Sequence, residues 1–133
     1  MRRFLLDTHV LLWSLYKSSK LPIEIKELIN SNNNQVFYSV ANLWEIEIKH
    51  DKHPELMPTS SNDVFNRAEI MYDIIRIEPE HIRELSNLPK IHADPFDRIL
   101  IAQAKVESLE LITADEKISQ YDYPFILSFT PHK

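Results

Sequence analysis

Short apolar runs in this chain pass straight into helical segments. An acid stands at four such junctions: Asp7 in FLLDTHVLLW, Glu45 in SVANLWEIEIK, Asp97 in DPFDRILIAQA and Asp115 in LELITADEKI. Strands that feed helices build a parallel sheet, since a parallel neighbour is reached only through a crossover connection. Such sheets gather their functional residues in the crevice beyond the C-terminal ends of the strands. Four carboxylates meeting there, without as many bases, would repel one another unless a divalent cation joined them. A hard-metal site is therefore the leading expectation.

Hydrophobic spacing predicts the elements in turn. Phe4–Leu6 read as a buried strand and Thr8–Tyr16 as a helix, with Asp7 at the junction. Pro22 opens a helix near 23–29, the polar run 31–35 ends it, and Val36–Ser39 form the next strand. A third helix over 40–50 places Trp44 and Ile48 on one face and Glu45 and Lys49 on another. The stretch 52–62, with Pro54 and Pro58, is a loop and a candidate lid. Val64, Ala68, Met71 and Tyr72 keep helical spacing, 74–77 look like a strand, and Pro79 starts a helix carrying Ile82 and Leu85. Pro95 takes a first helical position, and Phe96–Val106 are apolar nearly all round, as in a central helix. Leu109–Thr113 form a strand, 114–118 a helical turn and Phe125–Phe129 the last strand. The expected result is one α/β sandwich over 1–133, because 133 residues with 44% apolar content suit a single core and no linker or repeat divides them.

Composition narrows the chemistry. The absence of cysteine excludes disulfides and thiolate sites, and the absence of glycine excludes Gly-rich phosphate loops and dinucleotide fingerprints. Positions with φ > 0 must fall to other residues, and Asn32, Asn33, Asn34 and Asn87 sit in candidate turns. A formal charge of −5 argues against a protein that grips nucleic acid through a broad basic surface. It leaves open an enzyme that meets a phosphate through a metal. The apolar stretch near the N-terminus is broken by Asp7 and His9 well short of a signal peptide or membrane span, so a cytoplasmic protein is expected.

Each acid also has a plainer role. Asp7 suits an N-cap, Glu45 suits a surface pair with Lys49, Asp94 and Asp97 suit the cap and N3 positions of the Pro95 helix, and Asp115 suits a cap on the next turn. Capping alone would spread acids over both ends of the sheet, whereas these four fall at one. No serine has the setting of a nucleophile with a partnered base, and the six histidines lack the spacing of a zinc set. His9 and His92 flank the expected site. Thr8, Ser39, Asn42 and Thr113 lie close enough to orient a carboxylate or a water. Lys49, Lys90 and Arg98 are candidate phosphate contacts, Arg98 first because it adjoins Asp97.

The stretches LLDTHVLLW, SVANLWEIEIK, DPFDRILIAQA and LITAD, in this order and at these separations, resemble PIN-domain proteins, and in particular the VapC-type toxins of bacterial toxin–antitoxin pairs. The resemblance covers about residues 3–129. It implies a three-layer α/β sandwich with a mostly parallel five-stranded sheet between helices, a Mg²⁺ or Mn²⁺ site, and endoribonuclease activity. By motif, Asp7, Glu45, Asp97 and Asp115 match the four family acids and Asp94 an auxiliary acid; Asp7 and Asp97 are expected to hold metal, with Thr8, Thr113 and Arg98 as auxiliaries by their nearness to the acids. It further implies a VapB-like antitoxin whose segment lies along the acidic groove, and a homodimer, although the stripe Val10, Leu12 and Trp13 reads equally as core. Asn42 stands where related sequences often carry Ser or Thr, and Ser108 where a glycine commonly closes the long helix. Three other readings stand beside this one. They are a receiver-like domain, for which Asp7 lacks a neighbouring acid; an aspartyl-phosphate phosphatase, for which His9 replaces the second Asp of a D-x-D loop; and a PIN fold that binds without cutting.

Overall fold

The computed structural model describes all residues, Met1–Lys133. Strands β1 (Arg3–Leu6), β2 (Gln35–Ser39), β3 (Asp73–Ile75), β4 (Glu110–Thr113) and β5 (Ile126–Ser128) form one sheet in the order β3-β2-β1-β4-β5. Every neighbouring pair is parallel. The chain winds outward from β1 to β3, then returns across the sheet to β4 and β5. That reversal falls between β1 and β4, and it opens the crevice in which such sheets bind ligands. The order also differs from the 2-1-3-4-5 arrangement of a receiver domain.

Seven helices cover the sheet: α1 (Thr8–Leu15), α2 (Ile23–Asn30), α3 (Val40–Lys52), α4 (Ser61–Met71), α5 (Pro79–Glu84), α6 (Pro95–Glu107) and α7 (Glu116–Ser119). Strand side chains alternate between two cores. Phe4, Leu6, Val36, Tyr38 and Ile112 join Val10, Leu11, Ile25, Ile29 and Val64 on one face. Leu5, Phe37 and Leu111 join Leu100, Ile101, Ala104 and Ile118 on the other. Both faces are buried, which is why the strands read as continuous apolar runs. Helix α6 buries six consecutive residues, Ile99–Ala104, as its all-round apolar pattern predicts. Val10 is fully buried, and Leu12 and Trp13 pack on the first core, so that stripe is ordinary interior. No helix is long and apolar enough to cross a membrane.

Several expectations are corrected by packing. Positive φ occurs at Lys17 and Ser108, and at none of the four asparagines. Ser108 adopts αL (φ 57°, ψ 45°) as the C-cap of α6, doing without glycine the job expected of that position. The 52–62 stretch contains a 3₁₀ turn at Pro54–Leu56 and leads into the Ser60 cap of α4, and none of it lines the cleft that holds Asp7, Asp97 and Asp115. On α5 Ile82 is 51% exposed and His81 is buried instead. The His81 ring accepts the Glu78 N–H (2.9 Å) and meets Glu107 (2.7 Å), so polar partners, not apolar period, decide which face turns inward.

Candidate active site

Asp7 follows β1 directly and is 4% exposed. One carboxylate oxygen accepts the Val10 N–H (2.9 Å), capping α1, while the other accepts from the Thr113 hydroxyl at the end of β4. The cap and the crevice readings of Asp7 are thus both fulfilled, by different oxygens. Thr113 also accepts the Asp115 N–H (2.9 Å), and Asp115 caps α7 through the Lys117 and Ile118 N–H groups (2.7 and 3.2 Å). One hydroxyl therefore fixes two acids across the β1/β4 switch point.

Glu45 enters from α3. Its Oε2 meets Lys49 Nζ at 2.9 Å, as i, i+4 spacing allows, but the residue is buried and its Oε1 accepts from the Thr8 hydroxyl (2.5 Å). Thr8 accepts in turn from Asn42 Nδ2 (3.0 Å), whose Oδ1 takes the Ser39 N–H (2.7 Å). Asn42 therefore caps the helix and orders the Thr8–Glu45 contact together, which answers how this chain manages without Ser or Thr there. Trp44, 60% exposed, turns outward and packs edge-on against Phe96 at 5.1 Å.

Asp97 stands in the first turn of α6. Asp94 caps that helix, accepting from the N–H groups of Phe96 (2.8 Å) and Asp97 (3.2 Å), with Pro95 at N1 as its sequence predicts. The Asp97 side chain meets His92 Nε2 at 2.7 Å. His92, Asp94 and Asp97 each offer a ligand atom within 4.8 Å of the others. The sequence places His92 beside the site, two residues before the Asp94 cap, but a loop without periodicity gave no sign that its ring would meet Asp97.

Asp7, Asp94, Asp97 and Asp115 line one open cleft of about 520 Å³, walled by His9 and Trp13 on α1 and by Glu116 and Lys117 on α7. Glu45 lies behind it, near enough for its charge to bear on Asp97. Burial pushes the Asp97 carboxyl up to about 7, and Asp94, Asp115 and Glu45 add to the rise against the His92 hydrogen bond. Burial likewise raises Asp7, opposed by its bonds from Thr113 and Val10 and assisted by Asp115. Two of the acids thus resist ionising in the metal-free protein, as expected of a carboxylate set that a cation would relieve. The carboxylate oxygens of Asp7, Asp94, Asp97 and Asp115 outnumber the one imidazole nitrogen of His92 beside them, a donor set that suits a hard divalent cation such as Mg²⁺ or Mn²⁺. Arg98 does not join them: its guanidinium donates to the carbonyls of Pro89 (2.9 Å) and Leu85 (3.0 Å) and to the Tyr121 hydroxyl (3.0 Å), so the arginine expected at phosphate is engaged in the loop.

No curated protein sequence matches the chain significantly. Among solved structures the fold recurs in DNA-bound VapBC from Salmonella typhimurium (18% identity, TM-score 0.69, 98% of each chain covered). It recurs in VapBC2 from Rickettsia felis bound to a promoter fragment (15%, 0.67, 98% of this chain and 99% of that one). It recurs again in VapC20 from Mycobacterium tuberculosis, a toxin that cleaves the sarcin–ricin loop (12%, 0.59, 92% and 98%). These neighbours share the architecture at low identity. The PIN-domain family model matches residues 4–123, from within β1 to beyond α7, and on that match the chain belongs to the PIN-domain family.

Proposed function

We propose that this chain is a metal-dependent endoribonuclease and the toxin of a toxin–antitoxin pair in the cytoplasm. The observation that carries the reading is the convergence of Asp7, Asp94, Asp97 and Asp115 on one cleft, and the burial that raises the Asp97 carboxyl to about 7 supports it. Asp7 is held by the Thr113 hydroxyl and the Val10 N–H, and Asp94 and Asp115 by backbone N–H groups, so the acids of the cleft outnumber the bases beside them, and that arrangement favours a cation. PIN domains are generally nucleases, and the structural neighbours include an RNA-cleaving toxin and complexes with antitoxins.

In this reading Asp7 and Asp97 hold a Mg²⁺ or Mn²⁺ ion, with Glu45 and Asp115 completing the acidic field and Asp94 fixing the start of α6. A bound divalent ion supplies an activated water and offsets charge at the phosphodiester. Thr113 and Thr8 keep Asp7 and Glu45 in place, since each donates its hydroxyl proton to a carboxylate. Lys117, on the cleft wall, offers a cation for the RNA backbone. A VapB-like antitoxin segment that brings a basic side chain to Asp7 and Asp97 would silence the site, and the acidity of the cleft favours such a peptide. Two copies of the chain are expected to pair, as the resemblance to VapC-type toxins implies.

The test is cleavage of single-stranded RNA by purified protein with Mn²⁺, with Mg²⁺ and with EDTA, beside Asp7→Asn and Asp97→Asn. Cutting that needs metal and both acids supports the nuclease. Cutting that survives EDTA and both substitutions rejects it, and a chain that folds and binds metal without cutting is the binding module. Growth arrest on expression, relieved by a copurifying small partner, tests the toxin role; sedimentation tests the pairing.

A further inference from the structure

Asp97 is not held by its own helix. Its carboxylate meets His92, and His92 belongs to the 88–94 loop, whose backbone near that residue is held by hydrogen bonds from outside the loop. The clamp is one hydroxyl. Tyr121 Oη accepts the His92 N–H (3.1 Å) and lies 3.4 Å from the His92 carbonyl, to which it donates. The same oxygen accepts from Arg98 Nη1 (3.0 Å), and Arg98 also donates to the carbonyls of Pro89 and Leu85, tying down the near end of the loop. Tyr121 is 1% exposed and follows α7, the helix that Asp115 caps. The network therefore runs from the Asp115 turn, through Tyr121, to His92 and Asp97, with Arg98 closing it from α6.

Resting on the metal-dependent reading above, we infer that Tyr121 and Arg98 are positioning residues of the acidic site, which act through His92 to fix the Asp97 carboxylate where a divalent ion would need it. Three features support a positioning role over mere packing. Tyr121 buries its hydroxyl, where an apolar ring would fill the same core space without having to satisfy a polar atom. Its partners on His92 are the backbone groups on both sides of the side chain that touches Asp97. Arg98, the residue after Asp97, turns its guanidinium back to the loop and away from solvent phosphate. A side chain bonded directly to a ligating carboxylate, as His92 is to Asp97, typically changes metal affinity by about 10- to 100-fold when removed, and a group acting through it should have a smaller share of that effect.

The experiment compares the full chain with Tyr121→Phe, Arg98→Ala, His92→Ala and His92→Gln. Mn²⁺ affinity is measured by calorimetry, melting temperature without metal, and exchange of the His92 amide in the metal-free protein. Tyr121→Phe should weaken Mn²⁺ binding by a few-fold, short of the roughly 10-fold or more expected of His92→Ala, speed exchange at the His92 amide, and leave the Leu100 amide protected. Its effect on cleavage at saturating Mn²⁺ should be smaller than at limiting Mn²⁺, since the lesion lies in holding the ion. His92→Gln, which keeps a donor, should retain more affinity than His92→Ala. Should Tyr121→Phe prove unable to fold, Arg98→Ala and the His92 pair carry the same comparison. The inference is overturned if Tyr121→Phe and Arg98→Ala lower the melting temperature yet bind Mn²⁺ as the parent does. A parent that binds Mn²⁺ but cuts no RNA removes the nuclease reading and leaves this one standing; a parent that binds no Mn²⁺ removes both.

Discussion

The two ends of the sheet carry the same kinds of side chain and treat them in opposite ways. At the N-terminal end, Glu110 accepts two hydrogen bonds from Arg2 (2.9 and 2.7 Å), Asp73 accepts from Gln35 (3.2 Å), and Arg3 reaches the Glu107 carbonyl (3.2 Å). The Arg2 hydrogen bond, above all, holds the Glu110 carboxyl below its ordinary range. At the C-terminal end Asp7 and Asp97 are held above theirs, chiefly by burial. An acid matched by a base belongs to the frame of the fold. Acids crowded together in a buried crevice lower stability until a proton or a cation arrives, and a fold that keeps them there is keeping a binding site.

Removing charge from the two ends should break this contrast most clearly. Asp97→Asn and Asp7→Asn are expected to take RNA cleavage to background while holding or raising the melting temperature of the metal-free protein. A melting point several degrees lower in both would mean that the cluster stabilises the fold after all.

The pH dependence sharpens the contrast further. Unfolded, Asp97 loses its proton near 3.8; folded, near 7. Between those values the folded state binds more protons, so metal-free stability is full below about 3.8, declines as pH rises, and levels off above about 7. Asp7 acts in the same direction. A divalent ion favours the ionised form, so the stabilisation it confers should grow with pH over the same window. Glu110 has the opposite sign: its contribution is present above 4.5 and fades as pH falls through its lowered value. Urea melts from pH 4 to 8, with and without Mn²⁺, would read both, and parallel curves would refute the assignment.

Thr113→Val tests the neutral donors that hold the acidic end together. It removes the hydroxyl that serves Asp7 and Asp115 and keeps the volume, so we expect a loss of about 1–3 kcal/mol and a further rise of the Asp7 carboxyl, seen as weaker Mn²⁺ binding. Arg2→Ala should do least. Its pair with Glu110 is part-exposed, so the cost should stay within about 1 kcal/mol, and cleavage should not change.

Much of this architecture is visible in local sequence. Pro95 after Asp94 announces α6, the apolar run Ile99–Ala104 marks its burial, and Phe4–Leu6 and Leu111–Thr113 mark central strands, because caps and hydrophobic periods act within a few residues. Local rules failed where a distant partner outweighed them. Ile82 gave up the inward face of α5 to His81 because Glu107 was there to receive the ring. Glu45 pairs with Lys49 as helix spacing suggests, yet Thr8 draws it inside. Arg98 was aimed at the acids by adjacency and turned to Tyr121 by the loop.

The sequence by itself determined the α/β alternation, the placement of Asp7 and Asp115 just after β1 and β4, and that of Asp97 at the start of α6, since each follows from spacing along the chain. Only the tertiary structure decided which groups hold those acids. Thr113 reaches Asp7 across 106 residues, Thr8 reaches Glu45 across 37, and Tyr121 reaches His92 across 29. No period or cap encodes such meetings, because they exist only after the strand order β3-β2-β1-β4-β5 has brought the ends of β1 and β4 side by side.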